Sequence, residues 1–369
     1  MSQRYNIRLA QAEDSPALLQ LINETPQEGN ITLNFERQPD FLYATNLTTT
    51  EPEVWLVEDT HNNKLVASFS IGKRQVYVNG EKKFVRYGND LRIHQDYKGG
   101  RTLFRLFKKY KELMQDDWMQ TVILKDNKTS INTVGSGRLS LPTYHNAGQF
   151  ITHMIGLNKA YSAQSNQVRR ATIDDIDEIQ AFFDKYAKLK EFYPCYDFNK
   201  IGSEDCYYRN LNINDYFLYY NKQELCGVVG TWNQKGFKQT RFLSYHGSMK
   251  ILRYIINLTS KLFGGLYLPT AGELASYISM HSVLIKDNQE EILKIILMNI
   301  LYEYKNSPFD ALIIGFDQRD PLHKALKGIK SHTLNSYHYL ASYGEVPEYL
   351  KQQTKQNFPP LFYLEPSRL

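Results

Sequence analysis

The chain has 369 residues, of which 42% are hydrophobic, 13% aromatic and 22% charged, a composition typical of a globular protein long enough for two domains. Its 44 basic and 39 acidic residues give a formal net charge of +5. This small, dispersed excess suits an anionic small ligand and makes nucleic acid an unexpected partner. The three cysteines form no Cys-x-x-Cys pair and the nine histidines no metal motif, so we expect a reduced, cytoplasmic protein without a metal.

The first predicted elements recur later in the chain. Residues 7–22 predict a strand, an acidic helix cap and an amphipathic helix, and residues 168–183 repeat this order 161 positions further on. In the first copy Asp14 or Ser15, with Pro16 in the first turn, marks the helix start, and in the second Asp175 does so with Glu178 three residues later. The spacing is that of a whole domain, so the repeat indicates two domain starts.

Between these starts the sequence predicts an antiparallel meander and then a helix. Asn62-Asn63 and Asn79-Gly80 are turn signals between β-rich segments, and Asn-Gly is the strongest short hairpin signal. The further predicted elements are a helix with apolar spacing from Leu103 to Leu113, a strand over 121–124, a short helix over 129–134 and a strand over 149–157.

The second half repeats this order. Its predicted elements are strands over 216–220, 224–232 and 276–285, a helix over 289–304, a strand over 311–316, a short helix over 321–327 and a strand over 336–342. Residues 237–270 form a mostly helical insertion without a counterpart. Its most apolar stretch contains Arg253, Asn257 and Lys261, so it predicts a buried or amphipathic helix rather than a membrane span, and no membrane partner is expected. We predict domains over 1–160 and 167–369, joined by a linker over 161–166.

A short segment of the first half suggests a family. Residues 90–100 read Asp-Leu-Arg-Ile-His-Gln-Asp-Tyr-Lys-Gly-Gly, a strand followed by a basic, glycine-containing turn and a helix start. In this setting the segment resembles the acyl-CoA element of the GNAT superfamily of N-acyltransferases. The resemblance implies an α+β fold with two tandem GNAT-like domains, each a mixed, mostly antiparallel central sheet flanked by helices.

The resemblance also implies a donor site in the first domain for acetyl-CoA or another acyl-CoA. The backbone of a bulged strand pairs with the pantetheine arm, and the glycine turn and the helix amides hold the pyrophosphate. The residues implied for the coenzyme are Leu91, Ile93, Lys98, Gly99, Gly100, Arg101, Thr102, Leu103 and Asn127.

The sequence departs from the family pattern at several positions. The glycines are adjacent rather than spaced, and Val134 stands where the family often has a catalytic tyrosine. At the matching place in the second half, residues 285–291 contain no glycine, and Glu290 and Glu291 would repel a pyrophosphate. We therefore predict that the second domain has lost its coenzyme site.

The candidates for the chemistry follow from the needs of acyl transfer. The amine must lose a proton and the departing thiolate must gain one. Asp90 lies on the central strand as the candidate base, and Tyr144 follows the short helix as the candidate acid. On the acceptor side, Phe35 and Arg37 lie in a predicted loop over 29–41, and Arg37 suits an acceptor that carries a carboxylate or phosphate.

Three functions stay open at this point. The first is an acyl-CoA N-acyltransferase, acetyl-CoA being the expected donor and a small-molecule or peptide amine the acceptor. The second is a tandem fold that binds acyl-CoA or a protein partner without turnover. The third is an aminoacyl transferase of the Fem type, whose long charged helical hairpin is missing, since residues 237–270 are too apolar and too short.

Overall fold

The computed structural model describes residues 4–98, 101–115, 117–137, 141–159, 161, 165–345 and 361–369. The elements of the first half are β1 (Tyr5–Leu9), α1 (Ser15–Glu24), β2 (Ile31–Glu36), α2 (Phe41–Thr48), β3 (Thr50–Asp59), β4 (Lys64–Val78), β5 (Glu81–Ile93), α3 (Arg101–Met114), β6 (Trp118–Leu124), α4 (Lys128–Val134) and β7 (Thr143–Gly156). Those of the second half are β8 (Val168–Arg170), α5 (Ile176–Tyr186), β9 (Tyr216–Asn221), β10 (Glu224–Trp232), β11 (Gln239–Tyr245), α6 (Met249–Phe263), β12 (Tyr277–Ile285), α7 (Glu290–Tyr304), β13 (Ala311–Asp317) and β14 (His332–Ser342).

In the described part of the chain, twelve strands form one continuous sheet in the order β1-β3-β4-β5-β6-β14-β7-β13-β12-β10-β9-β8. Only two neighbouring pairs are parallel, β5 with β6 and β12 with β13, and they occupy equivalent places in the two halves. Helices pack against the sheet. The α+β class with a mostly antiparallel sheet, predicted from the sequence, is therefore confirmed.

The two halves exchange their last strands. β14 belongs to the second half by sequence, yet it pairs with β6, and β7 of the first half pairs with β13. β7 and β14 then pair with each other at the centre of the sheet. Because the last strand of each half pairs with strands of the other half, the two halves form a single hydrogen-bonded sheet. The predicted domain boundaries at residues 160 and 167 stay a prediction.

The internal repeat extends to individual ion pairs. Arg8 binds Asp14 with both guanidinium nitrogens at 2.6 and 2.7 Å, and Arg169 binds Asp175 in the same way at 2.7 Å. These contacts lower the pKa of both aspartates. The predicted cap pairing of Asp175 with Glu178 is wrong. Asp175 closes a capping box with Thr172 instead, since a short 3₁₀ turn precedes α5.

The predicted meander is confirmed. β3 pairs with β4 and β4 with β5, both antiparallel. Asn79 and Gly80 connect β4 to β5 with φ values of 50° and 78°, the left-handed conformation that a tight hairpin requires of both central residues.

The prediction of a loop over residues 29–41 is wrong. Residues Ile31–Glu36 form β2, whose side chains alternate between half-buried and buried. This strand pairs with β11 of the insertion, about 200 residues further along the chain, so that Phe35 lies opposite Thr240. The insertion is likewise less helical than expected, because β11 precedes α6. Within the described residues, β2 otherwise pairs only at Leu33, with Gln27. Because its partner strand is so remote, no hairpin turn signal reveals it.

The helices of the first half lie on both faces of the sheet. On one face, Leu103, Leu106, Phe107 and Tyr110 of α3 pack in a cluster with residues of β3 and β4. On the other face, α1 and α2 pack in a second cluster with Val54 and Leu56 of β3. β5, which carries the predicted site, therefore runs between two helical layers.

Candidate active site

A β-bulge interrupts β5 at Asp90. The register against β4 shifts between the pairs Ser68–Arg92 and Ser70–Asn89, and Asp90 adopts a φ of 48°. This left-handed conformation is uncommon for residues other than glycine, asparagine and aspartate, and here it accompanies the bulge. The resemblance implied a bulged strand here, and the structure places Asp90 within the bulge. The bulge therefore changes the direction in which the Asp90 side chain points.

Beside the bulge, the sheet opens. β5 and β6 pair in parallel over only two positions, Arg86 with Met119 and Tyr87 with Gln120. Beyond Tyr87 the two strands no longer pair, while β5 continues to Ile93. Leu91, just past the bulge, is 40% exposed. The bulge thus lies at the mouth of a wedge between two parallel strands.

A polar cleft of about 480 Å³ lies at the start of α3. Its lining residues are Arg4, Tyr5, Lys64, Asp96, Tyr97, Lys98 and Thr102. Three of these side chains are basic and one is acidic, so the lining carries a net positive charge. Thr102 lies in the first turn of α3, where free backbone amides favour an anion.

Two of the predicted coenzyme residues line this cleft. Lys98 and Thr102 line it, and Leu103 is buried in the α3 cluster. Gly99 and Gly100 lie outside the described residues, as does the side chain of Arg101. Asn127 caps α4 by accepting a hydrogen bond from the Ser130 amide at 3.0 Å, and its amide group donates to Gln27 at 2.6 Å.

Asp90 is held by arginines. Its side chain is 7% exposed, and Oδ2 accepts hydrogen bonds from Arg37 at 3.2 Å and from Asn89 at 3.1 Å. Oδ1 has a longer ionic contact with Arg92, at 3.9 Å. The structure thus brings together a residue predicted for the chemistry and one predicted for the acceptor. Arg92 in turn donates to the Thr25 carbonyl, so these contacts lie on the α1–α2 side of the sheet.

Asp90 lies in a wider group of cations, which we call the cationic cluster: Arg37, Arg74, Arg92 and Lys238. Arg74 stacks over the ring of Tyr87, 3.5 Å from its centroid. Burial first, and then repulsion from Arg37, lowers the pKa of Lys238 to about 7. Lys238 comes from the insertion and donates to the carbonyls of Ser367 and Leu369.

The cationic cluster retains binding capacity. Nε and Nη1 of Arg37 and Nε of Arg92 are buried and have no hydrogen-bond partner among the described residues. An unpaired buried donor is costly, so such groups point to a ligand or to bound water. Sequence analysis identified Arg37 but missed Arg74 and Lys238. Neither lies near a motif, and only the folded chain brings them to Asp90.

Tyr144 lies elsewhere. It packs edge-on against Tyr339 of β14, in the cluster formed by α3, and burial raises the pKa of its phenol. Within the described part of the chain, no hydrogen bond joins Tyr144 to Asp90. Phe35, the second residue predicted on the acceptor side, is half-buried in β2, two residues before Arg37.

The second half has the same bulge with different surroundings. In β12 the register against β10 shifts between Val228 and Gly230, and Ser282 adopts a φ of 54°. The Ser282 amide donates to the carboxyl group of Glu365 at 2.8 Å. Glu365 also accepts from the Tyr196 hydroxyl at 3.0 Å, and burial raises its pKa. The segment that ends the chain therefore occupies this bulge.

Among the described residues, no helix is both long and apolar enough to cross a membrane. No group of three histidine, cysteine, aspartate or glutamate side chains there is arranged to hold a metal ion.

The sequence matches no protein-family model and no curated protein. The fold, however, is similar to that of solved structures. One is Saccharomyces cerevisiae N-myristoyltransferase with bound myristoyl-CoA, with a TM-score of 0.61 and 11% identity over 94% of this chain and 81% of that one. Another is a GCN5-related N-acetyltransferase from Sphaerobacter thermophilus, with a TM-score of 0.57 and 12% identity over 94% of this chain and 98% of that one. The chain therefore has the GNAT fold, as the resemblance of residues 90–100 implied.

Proposed function

We propose that the protein is an acyl-CoA-dependent N-acyltransferase with its donor site in the first half. The observation that carries this proposal is the bulge at Asp90, at the mouth of the wedge between β5 and β6, together with the basic cleft at the start of α3. A wedge of unpaired strand offers backbone groups to an amide-rich arm, and a basic helix start offers a site for its phosphates. Both features are needed by one elongated, anionic donor.

In this proposal, the coenzyme phosphates bind at Lys98 and the first turn of α3. The pantetheine arm runs along the exposed edge of β5 past Ile93 and Leu91, and Asn127 contacts it from the start of α4. Acetyl-CoA is the donor that the sequence resemblance favours. One enzyme of similar fold binds myristoyl-CoA, so longer acyl groups belong in any test.

The acceptor amine enters on the side of Phe35 and Arg37. The unpaired Nε and Nη1 of Arg37 can each donate a hydrogen bond to an oxygen of a carboxylate or phosphate on the acceptor, and a guanidinium favours such anionic oxygens. The acceptor is then a small molecule or a peptide that carries an amine and an anionic group.

The reaction forms a C–N bond and breaks the thioester C–S bond. Asp90 Oδ1 accepts a hydrogen bond from the amine and receives its proton, while Arg37 and Asn89 hold Oδ2 in place. The departing thiolate takes a proton from a neutral acid. Tyr144 is suited to that role because burial keeps its phenol protonated, and it approaches from the α3 side.

Binding and turnover are tested separately. At 100 times its dissociation constant a ligand stabilises the folded state by about 2.7 kcal/mol, so acetyl-CoA or a longer acyl-CoA should raise the melting temperature. We expect Lys98→Glu to weaken this shift. Lys286→Glu, after the matching strand of the second half, is the control and should leave it unchanged. No shift with any acyl-CoA would contradict the donor site.

Turnover is measured as thiol release over a panel of amines with and without a carboxylate or phosphate. We expect release to depend on the anionic group, and Arg37→Gln to remove that dependence. A melting shift without release from any amine would favour the second function left open by the sequence, a protein that binds acyl-CoA without transferring the acyl group.

A further inference from the structure

The helix α6 turns its apolar side chains away from the protein. Six large apolar side chains on it are each at least 52% exposed. They are Ile251, Tyr254, Ile255, Leu258, Leu262 and Phe263. Contiguous exposed apolar surface of this kind is unusual on a soluble domain and marks an interaction site.

The side of α6 that faces the protein is mostly polar, with Met249 and Ile256 as its apolar contacts. Arg253 donates to the Leu268 carbonyl and to Thr270, while Asn257 exchanges two hydrogen bonds with the backbone of Leu268. Ser260 is buried and accepts a hydrogen bond from Asn158. An ordinary surface helix buries its apolar stripe and exposes its polar one. In α6 the arrangement is reversed, and hydrogen bonds hold the helix in that orientation.

The charge of α6 indicates what its exposed face contacts. The helix contains Lys250, Arg253 and Lys261 and no acidic residue. Lys250 and Lys261 are both exposed, and their separation of about three helical turns puts them along the same border of the apolar face. Lys159, also exposed, lies against Gly264, where the helix ends. An apolar face bordered by lysines is the pattern of a helix that lies in the interface of an anionic membrane.

We propose that α6 docks the protein on an anionic lipid surface, with its apolar face inserted among the lipids and its lysines at the headgroups. A second copy of the chain fits less well, because a two-fold contact through α6 would bring equivalent lysines together. The sequence predicted no membrane partner because α6 is too polar to span a bilayer, but a helix that lies in the interface does not span it.

The docking surface is connected to the acceptor side of the proposed active site. The insertion that carries α6 also carries β11, which pairs with β2, and Arg241 of β11 binds Glu36 at 2.5 Å. Arg37 is the next residue. A protein docked through α6 would therefore hold its acceptor side near the lipid surface. The docking itself does not depend on the proposed function.

Vesicle co-sedimentation tests the proposal. We expect binding to vesicles of phosphatidylcholine mixed with phosphatidylglycerol, and at least about tenfold weaker binding to phosphatidylcholine alone. The double variant Ile255→Asp, Leu258→Asp should lose binding. Both positions are exposed, so the fold should survive, and a thermal melt checks this. Leu189→Asp is the matched control, since Leu189 is an isolated apolar side chain that is 71% exposed.

The charge contribution has its own variant. Lys250→Glu with Lys261→Glu should remove the preference for phosphatidylglycerol. The proposal is overturned if the wild-type protein does not sediment with either vesicle, or if the double aspartate variant binds as well as Leu189→Asp. It is also overturned if light scattering shows a dimer that Ile255→Asp dissociates, because the apolar face would then be an interface between two copies.

Discussion

The bulge in β5 and the bulge in β12 have nearly the same backbone and different neighbours. Asp90 and Ser282 have φ values of 48° and 54°, each on the strand that forms a parallel pair with the next one. At Asp90 the bulge meets the cationic cluster. The wedge beside it is present in both halves, since β12 pairs with β13 only as far as Ser279 and continues to Ile285. At Ser282 the amide is occupied by Glu365. The two bulges thus share their backbone geometry, while the side chains around them differ.

The helices that follow the two bulges differ in the charge at their first turns. α3 begins beside a cleft lined by Lys98 and two other basic residues. α7 begins with Glu290 and Glu291, and Glu290 lies 3.8 Å from Lys324. Carboxylates stabilise a helix start by occupying its positive end, and they repel a phosphate there. Both observations support the prediction that the second half has no coenzyme site.

The largest effect is expected on stability, for a change at Glu365, which occupies the Ser282 bulge. Glu365→Ala removes the acceptor for the Ser282 amide and the Tyr196 hydroxyl, both of which are buried. Glu365 also accepts from the Tyr363 hydroxyl and from the amide and hydroxyl of Ser367, so several buried donors would be left unpaired. The free energy of unfolding should fall by at least about 3 kcal/mol, as measured by denaturant titration. Glu365→Gln retains an acceptor oxygen and should lose about 1 kcal/mol. Equal stability of the two variants would mean that Glu365 does not hold this bulge.

The next largest effect is on the rate of thiol release, which should depend on the bulge in β5 and not on the bulge in β12. Asp90→Asn keeps the side-chain size and removes the proton acceptor, so thiol release should fall about 100-fold. Ser282→Ala is the matched change in β12 and should leave the rate near that of the wild type. A similar rate for Asp90→Asn and the wild type would remove Asp90 from the chemistry, although Arg37 would still be a candidate for acceptor binding.

A smaller effect concerns the exchanged strands that join the two halves. Burial lowers the pKa of His338 in β14 to about 3, and burial with the neighbouring His323 lowers that of His153 in β7 to about 4. Because the unfolded chain binds protons below about pH 6.5 and the folded chain does not, stability is full above that pH and falls as the pH decreases.

For His338 alone, the loss between pH 7 and pH 5 should be about 2 kcal/mol. Urea unfolding at the two pH values measures it, and His338→Gln should reduce the difference, because glutamine does not titrate. A stability that is unchanged between pH 7 and pH 5 would contradict the burial of these histidines as neutral groups.

The sequence predicted elements where the signal was local. The Asn79-Gly80 turn, the apolar spacing of α3 and the repeat at Arg8 and Arg169 were each confirmed at or near the expected positions. The features that were not predicted depend on contacts between residues far apart in the sequence. β2 pairs with a strand about 200 residues away, the last strands are exchanged, and Glu365 reaches a bulge more than 80 residues earlier in the chain.

The same limit applies to the candidate site. Asp90 and Arg37 were identified from a motif and a charged segment, and they are in contact. Lys238 comes from an insertion that has no equivalent in the first half, so only the folded chain relates it to Asp90. The apolar face of α6 was visible in the sequence, but its outward orientation depends on hydrogen bonds of Arg253 and Asn257 to distant backbone.

The most direct test of the account is a crystal structure of the protein with a non-hydrolysable acyl-CoA analogue. We predict that the pyrophosphate binds at Lys98 and the first turn of α3, with the acyl carbonyl at the bulge beside Asp90 and Leu91. An analogue bound at the start of α7, beside the Ser282 bulge, would contradict the assignment of the donor site to the first half. A crystal grown at saturating analogue with neither site occupied would contradict acyl-CoA binding altogether.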